Sequence, residues 1–137
     1  MNTKRLRIIL YFVVAFIGIT GGIYYYNEVY LNEYVPYQPR SCTVQGYQGY
    51  YVNMKLLTEE HKKAFMEMAD CFGREYKLIN NTIYIPRRIN NDDDWMLNIT
   101  NKVEAYRDSP KSYPVVLEYL ERRKQKQQEA KLENDSQ

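Results

Sequence analysis

The residue types that most often carry covalent or metal chemistry are scarce in this chain. Its 137 residues include two cysteines, Cys42 and Cys71, and one histidine, His61. An even number of cysteines in an oxidising compartment favours a disulfide. A Cys42–Cys71 bridge would close a loop of about 30 residues and contribute on the order of 3–4 kcal/mol in the chain-entropy account. The alternative is two unpaired thiols, one of them buried. The spacing is not that of a redox CxxC motif, and the further ligands of a zinc site are missing. His61 stands near the start of an amphipathic stretch, where a helix-terminus or packing role is expected. No serine elbow or cysteine stands in place to make a triad with it. Asp92, Asp93 and Asp94 form a carboxylate cluster of the type that suits Ca²⁺. The calcium-loop pattern of alternating ligands, glycine and distal glutamate is absent, so helix capping is the expected role. No catalytic, cofactor-binding or metal-ligating residue is assigned, no cofactor is expected, and the chain reads as a non-enzyme. An envelope enzyme is the contrary reading, and loss of an activity on mutating His61 or Asp92–Asp94 would be its sign.

Other motifs point to surfaces. Asn80, Asn98 and Asn134 each begin an N-x-[ST] sequon, which has meaning only in a eukaryotic secretory lumen. The pairs Arg87-Arg88 and Arg122-Arg123, the latter followed by Lys124, could meet anionic lipid or an acidic partner, against the default of a solvated face. Of the net charge of +2, Lys4, Arg5 and Arg7 supply +3, leaving −1 for the rest. A near-neutral body gives no electrostatic footprint for nucleic acid, and none is expected as a partner.

The elements that must position these groups begin with an apolar run. Ile8 to Tyr26 (IILYFVVAFIGITGGIYYY) carries no charge, and as a helix it extends roughly 28 Å, close to the hydrocarbon thickness of a bilayer. Lys4, Arg5 and Arg7 precede it and Glu28 and Glu33 follow it. The positive-inside bias therefore predicts a single-pass signal-anchor in the inner membrane, with the N-terminus cytoplasmic and the body periplasmic. Tyr24, Tyr25, Tyr26 and Tyr30 fall at the outer end, where amphipathic rings favour the lipid–water interface. A cleaved signal peptide is the rival reading, with Thr20-Gly21-Gly22 as a poor cleavage site. No lipobox cysteine follows the run. Gly18 and Gly22 make a GxxxG spacing that could bring two membrane helices together as a homo-oligomer, although glycine is also simply common in membrane spans.

Beyond the span, residues 27–42 read as a juxtamembrane stalk, extended and rich in tyrosine and proline, or equally as an irregular linker packed on the body. The stretch 49–56 alternates, with Tyr50, Val52, Met54 and Leu56 on one face of a half-buried strand. Gly46 and Gly49 suggest a bend upstream. Thr58 offers a cap, and His61, Ala64, Phe65, Met68, Cys71 and Phe72 recur at helical spacing up to Gly73. In YKLI-NN-TIYI, Asn80-Asn81 supplies a tight turn that pairs Leu78 with Ile83 and Tyr76 with Ile85. A second helix follows the Asp92–Asp94 caps, with Met96, Ile99, Val103 and Tyr106 as its buried stripe, Trp95 at its edge and Ser109-Pro110 as its end. A third starts near Ser112–Pro114 and buries Val116, Tyr119 and Leu120. Residues 121–137 have almost nothing to bury and read as a solvated helical extension fraying into disorder.

The expected organisation is thus a basic N-terminus (1–7), a transmembrane helix (8–26), a stalk (27–42), an exported α+β domain of β-α-β-β-α order (43–120) and a polar tail (121–137). From Met54 to Tyr106 the order of a helix, a strand pair ending in a proline-containing turn and a following helix resembles the ring-building domains of secretion and flagellar basal-body proteins. That resemblance implies a fold, not a function. The expected function is an accessory or structural component of a cell-envelope complex, in contact with the bilayer and with a protein partner. An immunity-type inhibitor that meets an exported toxin is the alternative.

Overall fold

The computed structural model describes residues 2–44 and 50–136, so the bend expected at Gly46 and Gly49 lies outside the described residues. The protein is a mixed helix-and-sheet chain of the α+β class, led by a long apolar helix. That helix, α1 (Thr3–Tyr24), starts where the Asn2 side chain accepts the Lys4 amide, and it continues without a break into a π-helical turn, Tyr25–Tyr30. Thr20, within the span, donates to the Phe16 and Ile17 carbonyls, so its hydroxyl is satisfied inside the helix.

The sheet at the centre of the body has three antiparallel strands in the order β1 (Tyr34–Pro36), β5 (Thr82–Pro86), β4 (Lys77–Ile79). Leu78 pairs with Ile83 and Ile79 with Thr82 in the register the sequence predicts. Asn80 and Asn81 adopt φ of 50° and 63°, the left-handed pair a two-residue turn requires. Strand β1 ties residues 34–36 of the segment 27–42 to the body. Its residues pair with β5 from Tyr34 opposite Pro86 to Pro36 opposite Tyr84, and Tyr37, Pro39 and Arg40 directly after it are buried. As an edge strand, β1 tolerates a proline that cannot donate to a ladder.

A second sheet is a hairpin of β2 (Arg40–Val44) and β3 (Tyr50–Met54). Strand β3 pairs only with β2, apart from the sheet that holds the 77–86 hairpin. The expected buried face of β3 is also mostly in solvent: Val52 is half-buried, but Met54 and Leu56 are 62% and 83% exposed.

Helix α2 (Glu59–Phe72) begins at Thr58, whose hydroxyl accepts the His61 amide, and ends at Gly73 with φ 64°. A left-handed C-terminal residue is most cheaply a glycine. Pro86 leads into a single turn, α3 (Arg87–Asn90), followed by α4 (Asp93–Asp108), which Asp92 caps by accepting the Trp95 amide at 3.0 Å. A 3₁₀ turn (Pro110–Ser112) joins α4 to α5 (Pro114–Asp135). The core lies where α2, α4 and the start of α5 close over one face of β5. Ile83 and Ile85 meet Phe65 and Met68 of α2, Met96 and Val103 of α4, and Val116 of α5. Tyr37 stacks on Phe65 at 4.3 Å between ring centroids. Of the expected α2 stripe, Phe72 is 52% exposed and Cys71 only half-buried. On α4, Thr100 is buried and Ile99 only partly so. From Glu121 onward α5 is exposed, yet it stays helical to Asp135, past the point where fraying is expected.

Candidate functional site

The sole histidine is a core residue. His61 is 2% exposed, its Nε2 lies 2.9 Å from the Tyr37 hydroxyl, and its Nδ1 stands 4.0 Å from Glu104. Burial disfavours the charged ring and pulls its pKa down to about 4, against the opposing field of Glu104. In the tautomer that accepts the Tyr37 proton at Nε2, the ring carries its own proton on Nδ1, on the side of Glu104. Glu104 is in turn paired with Lys55. Burial also raises the Tyr37 hydroxyl well above its ordinary pKa. A neutral imidazole shut in the core between α2 and the segment after β1 joins those elements; a substrate in solvent would not reach it.

Asp92 and Asp93 have separate partners. Asp92 caps α4, and Asp93 lies 3.3 Å from the buried guanidinium of Arg40. Arg40 also donates to the Asn90 carbonyl at 3.0 Å, while its amide donates to Thr100 at 3.0 Å. One side chain thereby ties the start of β2 to the α3–α4 junction. Among the described residues no three histidine, cysteine, aspartate or glutamate side chains gather as metal ligands.

The expected disulfide is not formed: Cys42 and Cys71 are both free. They belong to different parts of the fold. Cys42 is exposed on β2 opposite Val52, in the hairpin that packs on α4. Cys71 sits at the end of α2 beside α5, its Sγ 3.8 Å from the Val115 carbonyl oxygen, and burial pushes its thiol pKa up.

What the structure does assemble is a junction between the apolar helix and the body. The Arg87 guanidinium lies 4.0 Å over the Tyr30 ring and 2.8 Å from the Glu33 carboxylate. The Arg87 amide donates to the Glu33 carbonyl at 2.8 Å and the Arg88 amide to the Leu31 carbonyl at 2.9 Å. Tyr26 stacks on Tyr30 at 5.4 Å. The Arg87-Arg88 pair, considered above for lipid or an acidic partner, therefore clasps the residues leaving the helix, with Arg88 also 2.7 Å from Glu75. The helix that it holds, Thr3–Tyr30, is long and apolar enough to cross a membrane, and none of its most apolar stretch is buried. Gly18 and Gly22 lie on this open helix, with no other part of the described chain packed against the position a β carbon would take.

Sequence reasoning missed Tyr37, Arg40 and Thr100. The last two are buried polar residues, linked by the Arg40 amide that donates to the Thr100 hydroxyl. Comparison with protein-family models, with curated proteins and with solved structures finds no match.

Proposed function

We propose that this is a single-pass membrane protein whose exported body works by protein–protein contact as an accessory or structural part of a cell-envelope complex. The observation that carries the contact reading is the β2–β3 hairpin and its exit. Within 51–56, Tyr51, Met54 and Leu56 are 52%, 62% and 83% exposed. Large apolar side chains left in solvent on the hairpin and its exit support an interaction surface there. The membrane reading is supported by the unburied helix 3–30, the basic residues in its first turns and the tyrosines at its far end. On this reading the N-terminus is cytoplasmic and the body lies on the other side.

A crosslinked pull-down of the tagged full-length chain from mild detergent, read by mass spectrometry, tests the proposal. The expected result is a stoichiometric envelope protein that is lost in the Met54→Asp/Leu56→Asp variant. Recovery of a secreted toxin would replace the assembly role with that of an immunity-type inhibitor. Recovery of the chain alone would contradict both.

A further inference from the structure

A cavity of about 390 Å³ opens between α2 and α4, within the range of small-molecule sites. Its floor is apolar, with Phe65 and Met68 of α2 and Trp95 and Ile99 of α4 among its lining, above Met96, which is 0% exposed. Its exposed lining is different in kind: beside Phe72 stand Arg74, Glu75, Asn98 and Lys102. Glu75 is neutralised by Arg88 at 2.7 Å. Arg74 lies 5.9 Å from the Trp95 ring centroid, and among the described residues neither Arg74 nor Lys102 is paired with a carboxylate.

The geometry points to a binding site for a single-chain anionic amphiphile of the fatty-acid type, with its chain between α2 and α4 and its carboxylate at Arg74 and Lys102. The apolar floor takes hydrocarbon by removing it from water. The two unpaired cations supply charge-assisted hydrogen bonds for the head. A peptide strand or helix suits the floor poorly, because its backbone amides would find no partner against Met68 and Ile99. This site stands apart from the contact surface on the hairpin and does not depend on that reading.

Trp95 lines the cavity and is the only tryptophan of the chain, so its fluorescence reports occupancy directly. The full-length protein in phosphatidylcholine nanodiscs is titrated with bromododecanoic acid, whose bromine quenches an indole in contact, and with the matching bromododecanol. Partitioning into the same discs is common to wild type and variants. The expected result is saturable quenching by the acid, with an apparent affinity lowered at least about tenfold in Arg74→Glu/Lys102→Glu. Both substitutions fall at exposed positions, and circular dichroism checks that the fold is kept. The alcohol binds about tenfold more weakly than the acid and is indifferent to the charge reversal. Absence of saturation, equal quenching in the charge-reversed variant, or equal potency of acid and alcohol would overturn the proposal. So would an unquenched Trp95 together with a photocrosslink from position 72 to another polypeptide, which would assign the cavity to a protein segment.

Discussion

The guanidinium of Arg87 stands 4.0 Å over the ring of Tyr30 while reaching the Glu33 carboxylate at 2.8 Å, so one side chain of the body holds both the last turn of the apolar helix and the residues leaving it. A cation over an aromatic face contributes about 0.5–1 kcal/mol, and a partly exposed ion pair about 0.2–1 kcal/mol. Arg87→Ala should therefore destabilise the junction by about 1–2 kcal/mol. Tyr30→Ala should cost less, and the double variant less than the sum of the two, because they share a contact. Hydrogen exchange at the Arg88 amide, which donates to Leu31, reads this locally. Strict additivity would show that the two side chains do not act together.

The His61 imidazole gives stability a pH dependence of definite sign. Its folded pKa, about 4, lies below the ordinary 6.5. Between these values the unfolded chain holds more protons, so stability rises with pH. It should be level above neutrality and fall as pH drops through 6.5 towards 4, by roughly 3 kcal/mol in all. Urea unfolding as a function of pH measures the slope, and His61→Gln should flatten its upper part. A wild-type slope unchanged in the variant would contradict the assignment.

Arg40 and Asp93 form an asymmetric pair, with side chains 4% and 58% exposed. Removing the exposed partner leaves a buried guanidinium that still donates to the Asn90 carbonyl. Removing the buried one leaves that carbonyl without its donor and opens a gap. Arg40→Ala should cost about 2–4 kcal/mol and Asp93→Asn below about 1 kcal/mol. Equal costs by chemical denaturation would refute the asymmetry.

The two thiols should behave independently. In native protein without reductant, a maleimide should modify exposed Cys42 quickly. Cys71 should react slowly, since burial raises its pKa and holds it as the less reactive thiol. After denaturation without reductant both should be labelled. If neither reacts, a disulfide is present and the separation of the two residues in the fold is wrong.

Local signals in the sequence were sufficient for much of this fold. Thr58 and Gly73 bracket α2 because a cap and a left-handed stop are chemical properties of those residues, and Asn80-Asn81 sets its hairpin register for the same reason. Asp92 and Ser109 likewise bound α4. What stayed hidden is non-local. Nothing near Tyr34 announces that its partner is Pro86, and two prolines close by suggest an unpaired stalk. The alternation in 50–56 is compatible with a strand but does not say which sheet it joins or whether its apolar face finds cover. The cysteine count invited a bridge that depends on how two distant elements pack. Of the junction, only the tyrosines and the Arg87-Arg88 pair could be read beforehand, not their contact.

The central claim is that the apolar helix spans a membrane with the body on the side opposite the basic N-terminus. Cys42, exposed on β2, is a built-in reporter once Cys71→Ser removes the other thiol, and Asn2→Cys in a cysteine-free background marks the opposite end. In cells whose outer layers have been opened osmotically, a membrane-impermeant maleimide should label Cys42 at once and position 2 only after the membrane is dissolved, with the protein staying in the membrane fraction through an alkaline wash. Labelling in the reverse order, or release of the protein by the wash, would contradict the account.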